Sequence, residues 1–213
     1  LHGFLTSTEW RVSSIYKGSD YLVGRKGSSR APRNGAGVIL NYDFRGFIGY
    51  PFKFKAEAEY SISRQGLWVR LTVKNTGKSE MPLTLGTHPY FVVDGKLDEW
   101  KLDGRSKGRL KVIDLIPTGE LEDVTFAGKV NGRVFDDCYV ADGEVKLQGI
   151  RKGLIIRPNE NPYIQIYTPP ARDSLAIEPM TGVADSFNNG IGLKVLKPGE
   201  KLDATYEVVP FSL

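Results

Sequence analysis

The chain has one cysteine, Cys138, and two histidines, His2 and His88, in 213 residues. A single cysteine excludes an internal disulfide framework and fits a reducing cytoplasm, the expected location. So few histidines and cysteines cannot fill a His/Cys zinc site, so no metal is expected. No apolar run approaches the roughly 20 residues of a membrane helix, which excludes a membrane span of that kind. The net charge is +4, but Lys and Arg are scattered rather than gathered in a stripe, which argues against nucleic acid as a partner. There is no G-x-S-x-G elbow, no P-loop and no G-x-G-x-x-G; Gly190-Ile191-Gly192 lacks the third glycine and reads as a turn. No window of about ten residues carries a helical period, and there is no internal repeat, linker or low-complexity tract. No signal peptide is visible, although the chain starts at Leu1 rather than Met, so a true N-terminus upstream is an open expectation.

What the chain does have is alternation. With 40% hydrophobic and 25% charged residues it suits one globular domain with a real core. Phe52 to Tyr60 alternates apolar with charged, and Leu67, Val69, Leu71 and Val73 share one face of the next segment. Shorter strand candidates are Trp10 to Val12, Tyr21 to Val23, Val38 to Leu40, Trp100 to Leu102, Leu110 to Ile113, Val134 to Val140, Leu154 to Ile156, Tyr163 to Thr168, Ser174 to Glu178 and Ala204 to Val209. Ile116 to Glu120 and Pro179 to Gly192 read as loops. Many short strands between turns predict an all-β chain, an antiparallel sandwich or barrel.

Three of these segments carry polar faces. Along 83 to 88, Leu83, Leu85 and Thr87 share one face, and Thr84, Gly86 and His88 the other. Proline after His88 keeps it extended, so the imidazole is held above small residues, where it can serve proton transfer or be a plain surface histidine. Tyr163, Gln165 and Tyr167 lie opposite Ile164 and Ile166. Glu178 lies with Ser174 and Ala176, opposite Leu175 and Ile177. Aromatic rings, amides and carboxylates on one face suit a polyhydroxylated ligand, though they also suit a solvated sheet face. Asp136-Asp137 is compatible with a hydrolase carboxylate, a cation site or a solvated strand edge.

With these residues in view, the chain resembles the aldose 1-epimerase (galactose mutarotase) family almost end to end. The similar pieces, in order, are His2-Gly3-Phe4 with Trp10, Tyr50-Pro51-Phe52, Gly86-Thr87-His88-Pro89-Tyr90-Phe91, Pro117-Thr118-Gly119, Phe135-Asp136-Asp137-Cys138-Tyr139, Gln165-Ile166-Tyr167-Thr168, Ile177-Glu178-Pro179-Met180-Thr181 and Leu196-Lys197-Pro198-Gly199-Glu200. The resemblance implies a large antiparallel β-sandwich, covering 1–213 as one domain that lacks the family's N-terminal strands. It implies interconversion of the α and β anomers of a free hexose such as glucose or galactose, a small-molecule sugar as partner, and no metal or organic cofactor. His88 matches the general acid and Glu178 the general base; His2, Asp136 and Gln165 match sugar-binding positions. The family's upstream Asn-Arg pair has no counterpart here. Members acting on hexose 6-phosphates often carry Arg where this chain has Thr6; a phosphosugar reading would need Arg30, Arg33 or Arg45 to supply the cation. A sugar-binding module without turnover is the third possibility. The oligomeric state is open. His88 and Glu178 are expected to face each other with room for a sugar ring between them, and so not to touch in the free protein.

Overall fold

The structure, a computed structural model, describes residues 3–18 and 35–213. His2, Arg30, Arg33 and the strand expected at Tyr21 to Val23 lie outside these residues. The chain forms two compact units, Leu1–Met81 with Val195–Asp203, and Pro82–Lys194 with Ala204–Leu213. The strand pairs described below are all antiparallel. Among the described residues helix is confined to Ser186–Asn189 and short 3-10 turns such as Leu97–Glu99, and no helix is long and apolar enough to cross a membrane.

In the first unit, β1 (Arg11–Lys17), β2 (Ala36–Phe44), β3 (Phe54–Ser63) and β4 (Gly66–Asn75) pair in sequence order. The alternation of β3 explains its place: Phe54, Ala56 and Ala58 are buried, and Phe54 stacks on Phe44 with centroids 4.6 Å apart. The other face of β3 is not solvated as a polar strand face usually is. Glu59 is fully buried, its carboxylate accepting from Arg70 at 2.7 Å and from the Tyr16 hydroxyl at 3.1 Å. A buried carboxylate is tolerated only when paired in this way.

The remaining strands are β5 (Met81–Leu83), β6 (Tyr90–Phe91), β7 (Lys101–Ile113), β8 (Ile116–Glu122), β9 (Gly128–Lys129), β10 (Asp136–Gln148), β11 (Lys152–Arg157), β12 (Tyr163–Tyr167), β13 (Leu175–Met180), β14 (Lys194–Leu196) and β15 (Lys201–Ser212). In the second unit residues 207–212 of β15 pair with β11, and the order continues β11, β10, β12, β13, β6. A branch runs from β10 through β7 to β8 and β9. Ile164, Ile166, Leu175 and Ile177 are fully buried on one face of β12 and β13, with Leu102, Val145, Leu147 and Ile156 from the neighbouring strands also buried. Each such side chain contributes roughly 1.5–3 kcal/mol on leaving water, so this face defines the register.

Two sequence expectations change. Ile116 to Glu120 is strand β8 rather than a loop, with Ile113 opposite Ile116 and Val112 opposite Pro117. The reversal is made by Asp114 and Leu115, both with positive φ, and among the described residues β8 pairs only with β7, an edge position that tolerates Pro117. The presumed loop from Pro179 begins later, because Pro179 and Met180 continue β13.

A threonine ties the His88 segment to β13. The Leu85 amide donates to Thr181 Oγ1 at 2.8 Å, the hydroxyl donates to the Leu85 carbonyl at 3.2 Å, and the Thr181 amide donates to the same carbonyl at 2.8 Å. Thr181→Val keeps the shape but leaves the buried Leu85 amide short of its acceptor. The expected cost is about 1–3 kcal/mol, read in urea unfolding at neutral pH; an unchanged midpoint would show the clamp to be energetically idle.

Candidate active site

Sheet pairing in the second unit puts the polar positions of four segments on one face. Cys138 pairs with Gln165, which pairs with Glu178. One step along, Asp136 pairs with Tyr167, Tyr167 with Ala176, and Ala176 with Tyr90. Paired residues point to the same side of a sheet, so Asp136, Gln165, Tyr167, Glu178 and Tyr90 share a surface. The buried isoleucines and leucines take the opposite face.

His88 falls opposite Glu178. Gly86 bridges Met180 and Tyr90 pairs with Ala176, which leaves His88 and Glu178 on the rung between. The flanking hydrogen bonds run from the Thr87 amide to the Pro179 carbonyl at 3.2 Å and from the Ile177 amide to the Pro89 carbonyl at 3.4 Å. This is the pattern of a non-hydrogen-bonded rung, where side chains approach most closely. Pro89 and Pro179 have no N–H, so the return bond is missing on each flank. The rung is therefore tightly registered but lightly bonded.

The expectation that His88 and Glu178 stand apart is not met. His88 Nε2 lies 3.2 Å from Glu178 Oε1, within ion-pair distance. Glu178 is only 7% exposed, and burial, with repulsion from the Asp136 carboxylate, pushes its carboxyl up to about 7. A protonated His88 at this distance opposes that rise.

Beside this pair, Gln165 Nε2 donates to Asp136 Oδ1 at 2.8 Å, which leaves the Gln165 carbonyl oxygen pointed elsewhere. Asp136 is set by a second threonine clamp on its neighbour: the Phe135 amide donates to Thr168 Oγ1 at 3.1 Å, and the Thr168 amide to the Phe135 carbonyl at 2.9 Å. Asp137 points away from Asp136 and pairs with Arg109 at 3.1 Å. The adjacent aspartates thus do not converge, and among the described residues no group of three or more His, Cys, Asp or Glu gathers for a metal.

Of the five residues expected at the site, His88, Glu178, Asp136 and Gln165 lie on this face, and His2 is outside the described residues. Arg45 is exposed in the first unit. Sequence reasoning passed over Tyr90, whose ring stacks on His88 with centroids 5.0 Å apart and planes at 23°. Its position two residues after His88 was the available signal. Cys138 was also passed over; it is buried between Leu110 and Val183 beside Gln165, and burial pushes its thiol up to about 12, so it is an inert packing residue.

This fold matches known proteins. The chain belongs to the aldose 1-epimerase family, whose description matches residues 1–208. A curated relative, the uncharacterized protein YihR of Escherichia coli K12, is 24% identical over 216 residues; the match covers 94% of this chain and 64% of YihR. The chain therefore spans somewhat less than two thirds of that relative's length. A galactose mutarotase-like protein from Clostridium acetobutylicum shares the fold with a TM-score of 0.83 at 18% identity, covering 100% of this chain and 69% of that one. A galactose mutarotase related enzyme from Lactobacillus acidophilus gives 0.74 at 18% identity, covering 96% and 72%.

The raised Glu178 carboxyl has a consequence for stability. The folded chain holds this proton to higher pH than the unfolded chain does. Stability from this group is thus fully present below the ordinary value of 4.5 and is lost as pH rises through about 7. Replacing Glu178 by Gln removes the titration. The variant should gain on the parent between pH 4.5 and 7.5, by roughly 3 kcal/mol at most, less what the ion pair with His88 returns. Urea unfolding of both proteins across that range checks it; a constant difference would refute it.

Proposed function

We propose that the chain is an aldose 1-epimerase, opening and reclosing the ring of a free hexose with His88 and Glu178 as the proton-transfer pair. The observation that carries this is the rung itself: a histidine and a buried, proton-retaining carboxyl 3.2 Å apart, beside a fixed amide–carboxylate pair. In the active protonation state His88 carries the proton and Glu178 is ionised. A hexose binds with its anomeric hydroxyl toward Glu178 and its ring oxygen toward His88, with Asp136 and Gln165 holding other hydroxyls. The sugar parts the two side chains, and the lightly bonded proline flanks of the rung favour that opening.

Glu178 takes the proton from the anomeric hydroxyl, the C1–ring oxygen bond breaks, and His88 protonates the ring oxygen. The open-chain aldehyde then rotates about C1–C2. On reclosure the C5 hydroxyl attacks the other face of the carbonyl; His88 takes back its proton and Glu178 returns the other to the carbonyl oxygen. Protons balance, and no redox or metal chemistry enters this scheme. The substrate is an unphosphorylated sugar: the paired positions of this face supply Asp136 and Glu178 and neither Lys nor Arg, a poor setting for a phosphate.

Polarimetry of freshly dissolved α-D-glucose, α-D-galactose and glucose 6-phosphate tests the assignment. Glu178→Gln and His88→Asn, each folded, should lose on the order of a hundredfold or more in turnover. Gln165→Ala should chiefly raise KM, since it removes binding common to substrate and transition state. Near-normal turnover in either of the first two variants would leave the face a sugar-binding surface without catalysis.

Activity should also survive exhaustive dialysis against EDTA. Loss on chelation, restored by a divalent cation, would overturn the metal-free scheme.

A further inference from the structure

We propose that Tyr90 and Tyr167 form an aromatic cradle that positions the His88 imidazole, with the Tyr90 stack also favouring its protonated form, a role that rests on the acid–base reading above. Tyr90 and Tyr167 both pair with Ala176, one from each side, so the rung next to His88 and Glu178 carries two large rings flanking a methyl group. The small residue leaves the space between the rings open. Into that space leans His88, stacked on Tyr90 at 5.0 Å and 23° and edge-on to Tyr167 at 6.5 Å and 79°.

Tyr90 is 49% exposed while Phe91, on the opposite face, is buried. It buries its inner face on the imidazole rather than in the core. A cation within about 6 Å of an aromatic centroid is stabilised by the ring's negative face, by more when the site is partly dry. The stack therefore acts on the acid in two ways. It blocks rotation of the imidazole away from Glu178, and it favours the charged state from which a proton is donated. The groups facing His88 among the described residues are Glu178 from β13, Tyr167 from β12 and Tyr90 from β6, two residues on, with Asp136 from β10 one position beyond Tyr167. Glu178 is the nearest charge and favours the imidazolium; the rings set its direction, and the Tyr90 stack adds to that preference. The hydroxyl of Tyr90 has no part in this, so the ring alone should suffice.

The test reads His88 itself. The chain has two histidines, so comparison with His88→Asn assigns the imidazole resonances in an NMR pH titration of the full chain. Tyr90→Leu should lower the His88 midpoint by about half a pH unit, while Tyr90→Phe leaves it in place. In polarimetry the basic limb of the kcat profile should move down with it, kcat should fall several-fold in Tyr90→Leu with KM little changed, and Tyr90→Phe should restore both. An unmoved midpoint in a folded Tyr90→Leu protein overturns the proposal, as does a Tyr90→Phe variant that behaves like Tyr90→Leu. A midpoint that moves as expected in a protein without mutarotase activity would uphold the cradle and sink the epimerase reading, so the two failures are distinct. Should Tyr90→Leu fail to fold, Tyr90→Met, which also removes the ring, provides the same reading.

Discussion

The pairing of the 86–91 segment with β13 is the constraint on which the site depends. Histidine and glutamate 90 positions apart in the chain meet because Gly86 bridges Met180 and Tyr90 pairs with Ala176. A slip of one residue would turn His88 toward the buried face and Thr87 toward the polar one. What prevents the slip is apolar packing behind the strands. Leu85, Leu175 and Ile177 are buried on that side, and moving them into water would cost several kcal/mol together. The core thus sets the chemistry's geometry without touching it.

Polar clamps refine what packing sets coarsely. Thr181 joins Leu85 to the end of β13, and Thr168 joins Phe135 to the end of β12. Each is a buried hydroxyl used both as acceptor and spacer, one holding the His88 segment and the other the Asp136 strand. They matter because the prolines beside His88 and Glu178 remove two donors from the ladder where registration is most needed. The prolines keep the two residues extended; the threonines hold the segments in register at a short distance from the rung.

The same burial that builds the sheet tunes the carboxyl. Glu178 sits in the most buried strand of the face, next to Ile177, which has no exposure at all, and near a second carboxylate. Desolvation raises its proton affinity into the neutral range, where a carboxyl can both accept and return a proton. No separate device is required.

Much of the site was legible in the chain because a strand's side chains alternate regardless of its partners. The faces of 83–88, 163–168 and 174–178 follow from period two alone, and three of the candidate residues, His88, Gln165 and Glu178, emerge on the faces so defined. Where composition misled, the local rule met a tertiary exception: Pro117, Thr118 and Gly119 look like a loop, yet an edge position lets proline stay in a strand, and the turn is made instead by Asp114 and Leu115, whose positive φ no common turn signature announces. The contact between His88 and Glu178, the stack of Tyr90 on the imidazole and the raised carboxyl lay outside the sequence's reach. Each depends on which strands become neighbours and on how much water their packing removes, and both are properties of the folded sheet rather than of any segment in it.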